Sequence, residues 1–195
     1  MKRVFDFTAS FILLITLAPI FLFIAFLIRM DSTGPIFYLS ERVGLKGKRF
    51  HMFKFRTMVD SAEGARIYST VAGDRRLTRL GSILRQHNID ELPQLFNVLK
   101  GEMSIVGPRP EVPYFVDMFV GEEKKILTVN PGMTDFASIK FNNEAELLVG
   151  SSDPDKTYLD KIRPEKLRLQ LKYVEEQSLL LDVKLILNTL KLFFR

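Results

Sequence analysis

FTASFILLITLAPIFLFIAFLI occupies residues 7–28 and carries no charged residue over its 22 positions. As a straight helix it would be about 33 Å long, enough to cross a hydrocarbon core of roughly 30 Å. A cleaved signal peptide fits poorly. The run is too long, and no small-x-small site follows; Arg29, Met30 and Asp31 come next. Pro19 lies in its middle. It removes one backbone hydrogen bond and crowds the preceding turn, so the helix is expected to kink or break there. Each half would then be about 15–18 Å, too short to span alone. Lys2 and Arg3 precede the run and Arg29 follows it. The positive-inside preference puts both flanks on the cytoplasmic side. Two forms remain: a helix that enters one leaflet, bends at Pro19 and returns, and an ordinary transmembrane helix with a kink.

The other end reads LLLDVKLILNTLKLFFR (residues 179–195), rich in Leu and Phe with Asp182, Lys184, Asn188 and Lys191 interspersed. It suits a helix lying in the membrane interface or one packed on the core. Its amphipathicity is imperfect, because Asp182 and Asn188 do not share a clean face with Lys184 and Lys191.

A chain of 195 residues suits one compact domain able to bury a core without disulfides. It has no cysteine, which excludes disulfides, thiolate nucleophiles and Cys-type zinc sites. Two histidines, His51 and His87, leave little for a His-based metal site. P-loop and G-x-G-x-x-G motifs are missing. The formal charge of +5 is uneven: residues 40–85 hold eleven Lys/Arg against four Asp/Glu, leaving the rest net −2. Such a field suits a phosphate-rich ligand, nucleic acid or an anionic membrane. The segment lacks the aromatic interleaving of a specific nucleic-acid binder, so that partner is not expected.

After a turn cluster at residues 31–35, residues 35–58 show strand-like alternation. Phe53 and Phe55 alternate with Lys54 and Arg56, and Gly44 and Gly47 fit a hairpin turn. An extended KFR would place Lys54 and Arg56 on one face. Residues 61–87 read as partly helical and broken at Gly73, with Leu77, Leu80 and Leu84 as an apolar stripe and Arg75, Arg76, Arg79 and Arg85 on other faces. NIDELPQLFNVLKGEMSIVGPRPE (residues 88–111) then offers a helix capped by Asn88 or Asp90, closed by Gly101, with Leu92, Leu95, Phe96 and Leu99 as its apolar face. Asp90 and Glu91 could serve only the helix dipole. A carboxylate pair at a helix start in a basic field can equally hold Mg²⁺ or attack phosphorus. Arg109, between Pro108 and Pro110, is a pre-positioned guanidinium suited to bidentate phosphate contacts, or an exposed arginine in a rigid turn.

These segments together resemble the bacterial sugar transferases called small monotopic phosphoglycosyl transferases. The likeness is carried by KRVFDF (residues 2–7), the apolar run with its proline, GPIFYLSERVG, KFRTM, LTRLGSILRQHNIDELPQLFNVLKGEMSIVGPRPE and NPGMT (residues 130–134). It implies an α/β, mainly α, fold: a re-entrant membrane helix over residues 1–30, and a compact cytosolic catalytic domain over residues 31–195 with a small β-hairpin and an interfacial C-terminal helix. It further implies transfer of sugar-1-phosphate from a UDP-sugar to a polyprenol phosphate, undecaprenyl phosphate in the first instance, with UMP released. This is a first membrane step of glycoconjugate assembly at the cytoplasmic face of the bacterial inner membrane. Asp90 matches the nucleophile, ionised at neutral pH. Glu91, with Asp90, matches the Mg²⁺ site. Lys54, Arg56, Arg85 and Arg109 match phosphate-contacting positions, and Pro19 the bend. Membrane lipid is a partner, and a homodimer is allowed. A non-catalytic membrane scaffold on the same fold is the alternative.

Two departures stand out. Ala18 replaces the serine many relatives place before the proline, so no hydroxyl is offered there to a freed carbonyl. The segment Asp135-Phe136-Ala137-Ser138-Ile139 also departs from the family pattern after NPGMT, so donor identity is not carried over.

Overall fold

The computed structural model describes residues 1–59, 74 and 76–192. The helical content expected over residues 61–73, the break at Gly73 and the cation Arg75 lie outside them. The described part is mainly helical, with one antiparallel hairpin and one short parallel strand pair.

Helix α1 (Lys2–Asp31) stays helical through Pro19, so the proline does not break it. Its inward stripe is Asp6, Ser10, Leu14, Leu17, Phe21, Ile24 and Ile28, spaced by three or four as one helix face demands. Phe11, Ile12, Ile15, Leu22, Phe23 and Phe26 on other faces stay exposed. That leaves a helix long and apolar enough to cross a membrane with only 17% of its most apolar window buried in the protein. Both of its ends are tied to the same body. At the amino end, Asp6 accepts hydrogen bonds from Ser104 Oγ (2.8 Å) and the Ile105 N–H (3.1 Å). Arg3 donates to the Val98 and Leu99 carbonyls, and Lys2 pairs with Asp182 at 2.6 Å. At the carboxyl end, Phe21, Ile24 and Ile28 share a core with Phe55 and Leu84; burying each contributes about 1.5–3 kcal/mol.

The amino-terminal tie can be tested alone. Asp6→Ala strands the buried Ser104 hydroxyl and the half-buried Ile105 N–H, at an expected cost of about 1–3 kcal/mol. A thermal melt of the detergent-purified protein should fall by several degrees. An unchanged melting temperature would mean that the amino end of α1 does not dock on this domain.

Strands β1 (Phe37–Val43) and β2 (Arg49–Phe55) pair antiparallel in the register Phe37↔Phe55 to Val43↔Arg49. The expected glycine turn joins them, with Lys46 and Gly47 both at positive φ. One face of the hairpin stacks Phe37 and Phe55 with Phe21 and Phe96; the other buries Phe50 and Met52 against Val98 and Met103. Helix α2 (Arg79–Gln86) is capped by Thr78, whose hydroxyl accepts from the Gly81 N–H at 2.9 Å. Leu80 and Leu84 point to the α1 core as expected, but Leu77 precedes the helix and forms a β-bridge with Met58.

The single helix expected from Asn88 onward is two elements. Residues 89–91 form one 3₁₀ turn, and helix α3 (Gln94–Lys100) starts only after Pro93. Asn88 is left-handed at φ 52°, and neither it nor Asp90 caps α3. Gly101 closes α3 at φ 87°, as read. Within α3, Asn97 is fully buried: it accepts from the Phe53 N–H at 3.0 Å and donates to the His51 carbonyl at 2.8 Å, completing the edge of β2.

Strands β3 (Ser104–Val106) and β4 (Gly132–Thr134) pair in parallel, an element periodicity did not announce. A Cβ on Gly132 would lie 2.0 Å from the Gly107 nitrogen, so VGPRP and NPGMT can touch only because both carry glycine there. Downstream come helices α4 (Pro113–Val116), α5 (Phe136–Lys140), α6 (Glu144–Leu147), α7 (Pro154–Thr157) and α8 (Arg163–Glu176); α5 packs on β4 and against α8, and α4 on β1. Helix α9 (Leu179–Leu192) packs one side on the core and leaves apolar residues on the other. Leu185 is buried with Val106 and Tyr173, while Leu180, Val183, Leu187 and Leu190 are exposed. Asp182 spoils the amphipathicity because it points inward, accepting from Tyr173 Oη at 2.7 Å and from Lys2.

Candidate active site

The 3₁₀ turn carrying Asp90 and Glu91 hangs between α2 and α3, with Ile89 and Leu92 on either side packed into the α1 core. Lys54 reaches it from β2 and Arg109 from the loop after β3. Glu91 Oε1 accepts from Lys54 Nζ at 2.7 Å; the Arg109 guanidinium takes both carboxylate oxygens, at 2.8 Å to Oε2 and closer still to Oε1. This two-pronged geometry is the strong form of an arginine–carboxylate contact. Gln170 Nε2 donates to the Arg109 carbonyl at 3.2 Å and helps hold that loop.

Asp90 is only 4% exposed and has no hydrogen-bond partner among the described residues. Burial raises its carboxyl, Lys54 opposes and Glu91 adds to the rise; the result is about 6. That is nearer neutrality than an ordinary aspartate, though still mostly ionised at pH 7. Burial also pushes Glu91 upward, but Arg109 and Lys54 outweigh it and hold the group well below its usual range. Two neighbouring carboxylates are thus driven apart, the pattern that separates chemical roles in one site. Burial lowers Lys54, with Glu91 opposing, whereas Glu91 raises Arg109 against its burial.

Arg85, in the last turn of α2, donates to Thr57 Oγ1 at 3.0 Å and acts electrostatically on Asp90. Arg56 departs from expectation. Strand β2 ends at Phe55, and the next guanidinium turns to the end of α1, donating to the Ile28 carbonyl (3.2 Å), the Ser32 carbonyl (2.6 Å) and Ser32 Oγ (3.0 Å). It therefore does not share the surroundings of Lys54. Pro19 lies on the exposed side of α1.

Other residues of the site take roles that the sequence reading did not assign. Glu111 lies inside the quoted GPRPE, yet its role appears only in space: it accepts from Tyr158 Oη at 2.7 Å and pairs with Lys166 at 3.2 Å, and Lys166 also pairs with Glu144 at 3.0 Å. Asp135 caps α5 through the Ser138 N–H at 2.6 Å, and its charge reaches Arg109. Arg42 on β1 stands beside the same loop, since the Val43 N–H donates to the Glu111 carbonyl at 3.0 Å.

Among the described residues no group of three or more His, Asp or Glu could hold a metal by itself. The Asp90–Glu91 pair nonetheless offers the hard oxygen donors of a Mg²⁺ site of the type completed by water and substrate phosphate, which needs only one or two protein carboxylates.

A helix long and apolar enough to cross a membrane, docked on a small domain that sets Asp90 and Glu91 among Lys54, Arg85 and Arg109, is the architecture these residues define. The chain belongs to the bacterial sugar transferase family, whose model matches residues 1–195. It is 38% identical over 97% of its length to an undecaprenyl-phosphate glucose phosphotransferase of Komagataeibacter xylinus. It is 36% identical, again over 97%, to a UDP-N-acetylgalactosamine-undecaprenyl-phosphate N-acetylgalactosaminephosphotransferase of Aeromonas hydrophila. It spans 35% and 43% of the length of these two proteins. An exopolysaccharide production protein PSS of Rhizobium leguminosarum bv. phaseoli is 37% identical over 97% of the chain, which spans 92% of that protein.

Proposed function

We propose that the protein transfers sugar-1-phosphate from a UDP-sugar to a polyprenol phosphate through a covalent Asp90 intermediate. The observation that carries this reading is the contrast within the pair. Glu91 is clamped by Lys54 and Arg109, while Asp90 is buried beside it without a hydrogen bond to any described residue. A clamped carboxylate organises charge; an unclamped one is free to attack.

An Asp90 Oδ attacks the β-phosphorus of the donor. The bond from that phosphorus to the bridging oxygen breaks, and its electron pair leaves with UMP. The sugar phosphate remains on Asp90. A phosphate oxygen of the lipid then attacks the same phosphorus, Asp90 departs as carboxylate, and a polyprenyl diphosphate sugar results. Lys54, Arg109 and Arg85 neutralise phosphoryl oxygens where charge develops. Asp90 and Glu91 would hold Mg²⁺, which when bound neutralises the diphosphate charge.

The acceptor phosphate lies at headgroup level, so the site must sit at the interface. The docking of both ends of α1 on one domain supports a helix that enters and leaves on the same side, because a spanning helix would place its ends on opposite faces of the bilayer, and the flanking Lys2, Arg3 and Arg29 favour the cytoplasmic one. The names of the relatives support an undecaprenyl phosphate acceptor and a role in polysaccharide assembly.

The test is UMP release by the detergent-purified protein with Mg²⁺, a polyprenol phosphate and a panel of UDP-sugars. Release that requires both lipid and metal is expected, and it names the donor. No release by folded protein across a broad panel would favour a membrane scaffold.

A further inference from the structure

Arg42 is a cation of this site whose side chain makes no hydrogen bond or ion pair among the described residues, and its Nε is buried without a partner. Lys54 and Arg109 share Glu91 and Arg85 bonds Thr57; Arg56 also keeps Nε and Nη1 unpartnered, but it is turned to the end of α1. Glu111, the natural candidate, is already claimed by Tyr158 and Lys166.

Its position is well determined by the hairpin. In the β1–β2 register Arg42 faces Phe50 and Tyr38 faces Lys54, so Arg42 and Lys54 project from the same face of the sheet. The Val43–Glu111 bond holds the end of β1 against the GPRPE loop. Arg42 lies within electrostatic reach of Glu111, Arg109 and Glu91. A buried guanidinium Nε with no acceptor is costly, and the half-buried remainder of the group leaves room for a ligand to supply one. Its planar fork matches phosphoryl oxygens.

We propose that Arg42 is a phosphate-binding residue of this site, closing the ring begun by Lys54 and Arg109 around a phosphoryl group of the donor or of the lipid acceptor. The proposal rests on the functional reading above for which substrate brings the phosphate, but not for the site itself.

The probe is therefore inorganic pyrophosphate, titrated calorimetrically into the full chain in detergent, as wild type, Arg42→Gln and Arg42→Lys. Near-ultraviolet circular dichroism verifies that each variant is folded. Wild type should bind; Arg42→Gln should weaken binding at least tenfold, with Arg42→Lys recovering only part of it because the fork is lost. In turnover assays the KM that rises at least tenfold, for UDP-sugar or for polyprenol phosphate, identifies which phosphate Arg42 holds. Pyrophosphate binding lost in Arg42→Gln without any UDP-sugar turnover in wild type would uphold Arg42 and sink the transferase reading. Equal binding by wild type and Arg42→Gln, or none by wild type, would overturn the proposal.

Discussion

Asp90→Asn should abolish turnover and yield a more stable protein. Removing a nucleophile that forms the covalent intermediate costs about four orders of magnitude or more in rate. The gain in stability has a separate origin. The folded carboxyl is raised to about 6, against about 3.9 in the unfolded chain. A group raised on folding contributes stability that is fully present below the unfolded value and lost as pH rises through the folded one. Above pH 6 wild type therefore carries an ionised, buried aspartate, at a cost of about 3 kcal/mol. Asparagine has the same shape and no charge. Denaturant melts in metal-free buffer should find Asp90→Asn more stable by up to about that amount at pH 7, with the difference shrinking to nothing below about pH 4. Mg²⁺ held by the pair would draw the carboxyl back down, so the comparison belongs in metal-free buffer. A less stable Asp90→Asn protein there at pH 7 would contradict the strained state assigned to Asp90.

Glu91→Gln should do the opposite to stability. Glu91 is the shared anion of Lys54 and Arg109, and all three side chains are mostly buried. Removing its charge leaves two cations close together with only the Asp90 charge beside them; breaking such pairs costs about 3–5 kcal/mol when fully buried, and the residual exposure and Asp90 here point to the lower end. The pH signature is reversed as well. Glu91 lies well below its usual value because Arg109 and Lys54 outweigh burial, so its contribution is present above about pH 4.3 and lost as pH falls through the folded value. Glu91→Gln should be markedly destabilised at pH 7, and the gap should close in acid. Lys54→Met in the same chain should restore part of the loss by removing one stranded cation. Equal stability of Glu91→Gln and wild type at pH 7 would mean that the clamp contributes nothing. Because Asp90 and Glu91 pull in opposite directions, neither effect is visible in the wild-type acid melt alone, and the single variants are needed.

The apolar run, the hairpin and the adjacent carboxylates Asp90 and Glu91 were all legible along the chain, because each depends on local order. A run of 22 uncharged residues states its solvent by composition. Alternation around Phe53 and Phe55, with glycines at the turn, states a strand pair, and Gly101 states a helix end. Pairings across long separations were not legible. The contacts that make the site join Glu91 to Arg109, 18 residues on, and to Lys54, 37 residues back, while Lys2 meets Asp182 across 180. Burial arises from such contacts, so it was tertiary structure that carried Asp90 from an aspartate of ordinary acidity to one near 6. The same cause redirected Arg56, whose alternation with Lys54 ended where β2 ended, and turned Asp182 inward against the amphipathic pattern of its own helix. It also gave the silent residues Asn97, Lys166 and Arg42 their places. A periodic pattern records which face a residue takes on its own element; only the packing of elements decides what that face meets, and through desolvation and neighbouring charge what the residue can do there.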